Sequence, residues 1–163
     1  MKWINDTQNA INFIESNLLE NITADDVSKY INSSTDYFQK TFHIVTGLSI
    51  SEYIRNRRLT LAGEELKNTQ AKVIDVSLKY GYDSPDSFTK AFTRFHGVTP
   101  TAARASSKKL KCFYPLSIKI FIKGGFGMNR KIIPNIPEIG YDGNETDFGV
   151  NLLAAIFNIT GTK

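Results

Sequence analysis

The chain repeats itself. Positions 25–47 and 75–97 align without a gap at an offset of 50 residues. Asp25, Lys29, Tyr30, Ser34, Asp36, Phe38, Lys40, Phe42 and Gly47 return as Asp75, Lys79, Tyr80, Ser84, Asp86, Phe88, Lys90, Phe92 and Gly97. Ordinary residue frequencies would produce roughly one or two such identities in a window of this length. Two copies of one supersecondary unit are therefore the simplest reading, spanning about 23–47 and 73–97.

Each copy has the grammar of two helices and a tight turn. In the first, Thr23-Ala24-Asp25-Asp26 opens a short helix with its acids where the helix dipole favours them. Val27, Tyr30 and Ile31 supply an apolar side, and Asn32-Ser33-Ser34 ends the helix and offers an N-cap. A second helix follows, with Phe38, Phe42 and Val45 at i, i+4 and i+7, and Gly47 stops it. In the second copy Val73, Val76 and Leu78 lie on the short helix and Gly81 permits the turn. Ser84 caps, Pro85 suits the first helical position, and Phe88, Phe92 and Phe95 form the inward face before Gly97. Thr99-Pro100-Thr101 begins a last short helix through Arg104. Between the copies, Ser49 or Ser51 can cap a helix to about Asn68, with apolar sites at Ile50, Ile54, Leu61, Ala62 and Leu66. Ala10, Ile11, Ile14, Leu18 and Leu19 mark a helix ahead of the first copy. The expected fold class is mainly α, with about seven helices over 5–105.

A short helix, a glycine or serine turn and an amphipathic second helix make a helix-turn-helix, whose second helix buries one face and offers the other to a major groove. Opposite Phe38 and Phe42 lie Asp36, Lys40 and His43, with Gln39 alongside. The second copy has Asp86, Lys90 and Thr93 there, with Thr89 alongside. Glutamine can pair bidentately with adenine and lysine can donate to guanine. A 20-residue connector is about 30 Å long, and matching groove faces recur about every 34 Å, so one rigid helix can hold both copies on one face of a duplex. Arg55, Arg57 and Arg58 sit on that connector as candidate phosphate contacts.

On these residues the chain resembles the DNA-binding domain of the AraC family of bacterial transcription regulators. The resemblance is carried by Asp36-Tyr37-Phe38-Gln39-Lys40-Thr41-Phe42, by Gly47-Leu48-Ser49-Ile50-Ser51-Glu52-Tyr53-Ile54-Arg55, and by Arg58-Leu59 with Ala62 and Leu66. Gly81-Tyr82-Asp83-Ser84-Pro85-Asp86-Ser87-Phe88-Thr89-Lys90-Ala91-Phe92, Gly97-Val98-Thr99-Pro100 and Arg104 match more strongly still. The resemblance implies base-reading positions at Thr35, Asp36, Gln39 and Lys40, then Pro85, Asp86, Thr89 and Lys90. Phosphate contacts fall on Ser34, Arg55, Arg57, Arg58, Ser84, Arg94 and Arg104. The implied partner is double-stranded promoter or operator DNA, with RNA polymerase and a small-molecule effector as further candidates. No cofactor, metal or membrane is implied. Ala103 stands where an aromatic is usual, and Asp36 and Pro85 stand where bulky or amide residues are common; an acid there can accept from cytosine N4.

Plainer roles compete for several of these residues. Phe38, Phe42, Phe88 and Phe92 read as core, not as stacking platforms. Asp36 and Asp86 can simply favour helix N-termini, and the arginines can be a solvated helix face. His43 and His96, the only histidines, are too few for a metal site or a catalytic relay. Gly124-Gly125-Phe126-Gly127 lacks the context of a phosphate loop and reads as a loop.

Charge does not single out the first part: residues 1–106 hold 12 basic and 12 acidic side chains, and residues 107–163 hold 8 and 4. Cys112 is the only cysteine, which excludes an intrachain disulfide and fits a cytoplasmic setting. Residues 1–106 are expected to form the helix-turn-helix domain and 107–127 a basic linker, with a strand from Phe113 to Ile122. Residues 128–163 read as the truncated beginning of a second, α+β domain that resembles the opening of a sensor or enzyme-like domain. Its stretch from Asp147 to Asn158 reads as a helix apolar nearly all round, which favours burial or self-association. The rival function is an enzyme or ligand sensor whose C-terminal part carries the activity. Against enzymatic activity, no histidine follows His96 and Cys112 falls in the linker, so no nucleophile–base pair is offered.

Overall fold

The computed structural model describes residues 2–105 and 109–118. Among these there are seven helices: α1 (Lys2–Ser16), α2 (Ala24–Tyr30), α3 (Thr35–Thr46), α4 (Ile50–Asn68), α5 (Val73–Lys79), α6 (Pro85–His96) and α7 (Pro100–Ala105). The caps are those the sequence predicts. Thr23 and Asp26 form a reciprocal capping box at α2, and Ser49 and Glu52 form another at α4. Ser34 and Ser84 accept from the backbone N–H groups of Tyr37 and Ser87. Gly47 and Gly97 end α3 and α6 in the left-handed conformation, at φ 71° and 76°.

The repeat is not gapless in three dimensions. Four residues separate α2 from α3, and five separate α5 from α6. Upstream of each turn the structural offset is therefore 49: N-cap Thr23 corresponds to Lys72, and buried Val27 and Ser28 correspond to buried Val76 and Ser77. The turn bonds agree, since Ser33 N–H donates to Ser28 and Tyr82 N–H to Ser77. The matches Asp25/Asp75, Lys29/Lys79 and Tyr30/Tyr80 are thus identities in sequence but not in place. Their environments show it. Tyr30 is 56% exposed, its ring stacked on Phe13, whereas Tyr80 is buried and donates to Glu65 at 2.8 Å.

Two cores share the connector. Ala10, Ile14, Val27, Phe38 and Phe42 are buried in the first half, with Ile50, Tyr53 and Ile54 of α4. Leu59, Ala62 and Leu66 of α4 join Val76, Phe88, Phe92 and Ala103 in the second. At 100° per residue, the Tyr53–Arg57–Thr60 face and the Leu59–Ala62–Leu66 face lie on nearly opposite sides of the helix. This is why α4 has no single apolar stripe. Leu19, read as marking the first helix, lies beyond its end at Ser16 and is 52% exposed, and Leu78 on α5 is 57% exposed.

The compact unit extends to Ser117. Residues 109–118 form no strand, and 109–117 lie as an irregular strap against α4. Phe113 N–H donates to Thr60 Oγ1 at 2.9 Å, Leu116 N–H donates to the Tyr53 hydroxyl, and the Phe113 ring meets Tyr53 edge-on at 5.6 Å. Leu110 packs against the second core. Residues 119–122 of the expected strand, and everything expected of 128–163, lie outside the described residues.

Leu110 and His96 also explain a glycine. A Cβ on Gly63, in the middle of α4, would stand 2.9 Å from Leu110 Cδ1 and 3.0 Å from His96 Nε2. His96 Nε2 lies 2.9 Å from the Leu59 carbonyl oxygen. A carbonyl only accepts, so the proton sits on Nε2, and the buried Nδ1 has no partner. Burial lowers the His96 pKa from 6.5; Lys111 acts the same way, and the Leu59 bond opposes them.

Two outcomes are expected. Phe42→Ala and Phe92→Ala each empty a fully buried site and should cost about 3–5 kcal/mol in chemical denaturation; a variant that melts like the wild type yet loses DNA would reverse the assigned facing of its helix. The His96 contribution to stability is complete above the unfolded pKa of about 6.5 and drains as pH falls toward the lower folded value. Melting temperature should therefore fall more steeply from about pH 7 to 5 in the wild type than in His96→Gln. Parallel curves would remove His96 as the cause.

Candidate nucleic-acid interface

The two phenylalanine faces fix which sides of α3 and α6 remain for a partner. With Phe38 and Phe42 buried, Asp36, Gln39, Lys40 and His43 are exposed on α3. With Phe88 and Phe92 buried, Asp86, Lys90 and Arg94 are exposed on α6, while Pro85, Thr89 and Thr93 are half-buried. Thr35 is held back: its hydroxyl donates to Asp25 at 3.0 Å. That bond, together with the larger effect of Lys29 at 2.7 Å, lowers the Asp25 pKa. No ion pair forms between Asp36 and Lys40 among the described residues, so the Lys40 ammonium is not tied to its neighbour one turn back. Tyr37, 58% exposed on α3, is a further surface aromatic that sequence reasoning passed over. Its signal was its place one residue off the phenylalanine stripe.

The predicted phosphate contacts divide sharply. Ser34 and Ser84 sit at the N-termini of α3 and α6, where backbone N–H groups also point outward. Arg55 and Arg94 are exposed. Three arginines are instead structural. Arg57 is 7% exposed: Nε and Nη2 donate to the two oxygens of Glu15 at 2.8 and 2.9 Å, and Nη1 donates to the Phe113 carbonyl. Arg58 donates to the carbonyls of Leu18 and Glu20, both at 2.7 Å, just beyond the end of α1. Arg104 donates to the carbonyls of Leu66, in the last turn of α4, and of Ala71 just beyond it. Arg58 and Arg104 thus play one part twice, each satisfying carbonyl groups where an earlier helix runs out. Local sequence could not separate them from Arg55, because all present the same guanidinium.

Glu15 gathers more than Arg57. The Tyr53 hydroxyl donates to Glu15 Oε1 at 2.7 Å. Burial, and then the Glu15 carboxylate, push the Tyr53 phenol well above its ordinary range. Among the described residues no His, Cys, Asp and Glu group is arranged to hold a metal ion, and no helix is long and apolar enough to cross a membrane.

Two helix-turn-helix units on a shared connector, each with a polar outer face on its second helix, define a double helix-turn-helix domain. A family model described as a helix-turn-helix domain matches residues 27–106. The transcriptional activator AarP of Providencia stuartii is 37% identical over 94 residues, which cover 58% of this chain and 70% of AarP. The TetD protein of transposon Tn10 from Escherichia coli is 41% identical over 92 residues, covering 56% and 67%. The crystal structure of an AraC-type regulator from Chromobacterium violaceum superposes with a TM-score of 0.59 at 25% identity, over 62% of this chain and 90% of that one. The chain belongs to the AraC family of helix-turn-helix transcription regulators.

Removing Arg57 should damage the fold before it damages any surface. Breaking one side of a buried ion pair typically costs about 3–5 kcal/mol, because the other charge stays behind. Arg57→Ala is expected to lose stability on that scale in urea titration, whereas Arg55→Ala should lose almost none. Equal stability of the two variants would contradict the inward assignment of Arg57.

Proposed function

We propose that α3 and α6 enter successive major-groove segments of promoter or operator DNA and read bases there. The observation that carries this reading is the duplicated polar face: Gln39 and Lys40 on α3, with Lys90 and half-buried Thr89 on α6, lie on helices whose other faces are locked into separate cores. Asp36 and Asp86 begin those faces. Thr35 and Pro85, both half-buried, are placed nearest the helix starts. The 19 residues of α4 span about 28 Å, close to the repeat of the groove. Arg55, Arg94, Ser34 and Ser84 take the backbone phosphates, which position the protein without reading sequence. Arg57, Arg58 and Arg104 act in the fold instead. The chain works in the bacterial cytoplasm as a regulator and not as an enzyme, with RNA polymerase the partner downstream of promoter binding.

The division between readers and anchors is testable by a base-substitution scan of the operator. Gln39→Ala or Lys40→Ala should cost about 1–3 kcal/mol on the cognate site and relax preference at one base pair. Arg55→Ala or Arg94→Ala should weaken cognate and random duplexes alike, and flatten the salt dependence by roughly one unit per lost phosphate contact. A wild-type base profile in the Gln39 and Lys40 variants, with an altered profile in an arginine variant, would reverse the assignment.

A further inference from the structure

The strap that follows α7 serves both helix-turn-helix units at once. It runs antiparallel to α4: Leu110 lies at the level of Gly63, Phe113 at Thr60 and Arg57, and Leu116 at Tyr53. At 100° per residue these positions of α4 share one side of the helix, and Arg55 falls on the far side. The strap therefore covers the back of the connector and leaves the exposed arginine clear.

Each end of this contact leads to a recognition helix through one ring. Toward the first unit, the Phe113 ring meets Tyr53 edge-on at 5.6 Å, and Tyr53 meets buried Phe42 of α3 edge-on at 5.9 Å. Toward the second, Leu110 closes on Gly63 and the His96 ring, and that ring lies 4.2 Å from buried Phe92 of α6. The Lys111 ammonium adds a contact 5.3 Å from the centre of the Phe95 ring, also on α6. Leu110 and Phe113, three residues apart, thus each stand one side chain away from the inner face of a recognition helix. Among the described residues the two units are otherwise joined mainly through α4, and a lone helix bends.

We propose that Leu110 and Phe113 are positioning residues: the strap is a clasp that sets α3 and α6 relative to each other, and so selects the half-site spacing the protein accepts. This rests on the base reading proposed above. Two linked binding modules gain most when the link is stiff and matches the span of their sites, and they lose that gain when the span changes. Helices held in register before binding also pay less ordering entropy on the duplex. Neither positioning residue touches DNA.

The test uses the full chain with Cys112→Ser; the Cys112 thiol donates to the Leu110 carbonyl at 3.5 Å, and a serine can make the same bond. Nitroxide labels at Lys40→Cys and Lys90→Cys, both exposed positions, report the separation of α3 and α6 without DNA. Chains with both lysines intact are titrated with a cognate duplex and with duplexes whose half-sites are moved one base pair apart or together. Leu110→Ala with Phe113→Ala opens the clasp. The wild type should show a narrow distance distribution and lose about tenfold or more on each shifted duplex, the scale of a mismatched base pair. The opened chain should show a broadened distribution, and should favour the cognate duplex over the shifted ones by less than about threefold. Leu110→Met, close in volume, should behave as the wild type. A distribution as narrow as the wild type's, or a spacing penalty left intact while affinity drops at every spacing, overturns the proposal. Should the double variant not melt cooperatively, Leu110→Ala alone decides on the same two readouts. A wild-type chain that binds no duplex removes the base-reading proposal alone; the distance measurement then decides the clasp, and an unbroadened distribution rejects it.

Discussion

A buried guanidinium is tolerable only if its charge and its donors are matched, and Arg57 is matched by two other stretches of chain. Glu15 comes from α1, the Phe113 carbonyl comes from the strap, and Tyr53 on α4 shares the Glu15 carboxylate. Such a network has little tolerance for partial assembly, because each missing member leaves a desolvated polar group behind. The first helix, the connector and the strap are thereby set in one geometry. An apolar contact would have allowed sliding; a two-pronged bond between planar groups does not.

The connector carries a second constraint. One helix serves two cores on opposite sides, so its sequence is apolar, small or internally paired through most of its turns, and Gly63 is the narrowest point. A mid-helix glycine costs roughly 1 kcal/mol relative to alanine. Here that cost is offset by the approach of His96 and Leu110, which dock the end of α6 and the start of the strap onto α4.

Much of this was legible because helix ends are written in local chemistry. Thr23, Ser34, Ser49 and Ser84 announced their helices, and Gly47 and Gly97 announced the stops. The phenylalanine spacing announced which faces turn inward. What local chemistry could not convey was distance. Arg55 and Arg57 differ by 200° around one helix, and only the position of Glu15 decides which becomes buried. The repeat misled for a related reason. Identities on either side of a turn look continuous in a string even when the turn has gained a residue, and the burial of Val27/Val76 and Ser28/Ser77 was needed to find the true register. In sequence the strap reads as a linker because its lysines, Lys109 and Lys111, suggest solvent, while Leu110, Phe113 and Leu116 between them make the contacts. Gly63 is legible in kind though not in partner, since a glycine inside a helical pattern asks for a packing reason.

The separation of the two cores has a consequence for descent. Side chains in the Phe42 cluster and in the Phe92 cluster meet on different sides of α4, and changes at distant sites without shared partners combine nearly additively. A substitution that retunes one outer face leaves the packing of the other core as it was. A lineage carrying this architecture can therefore drift at one half of its binding site while the other half keeps the protein at its address. The tandem copy is thus a means of changing targets in small, survivable steps.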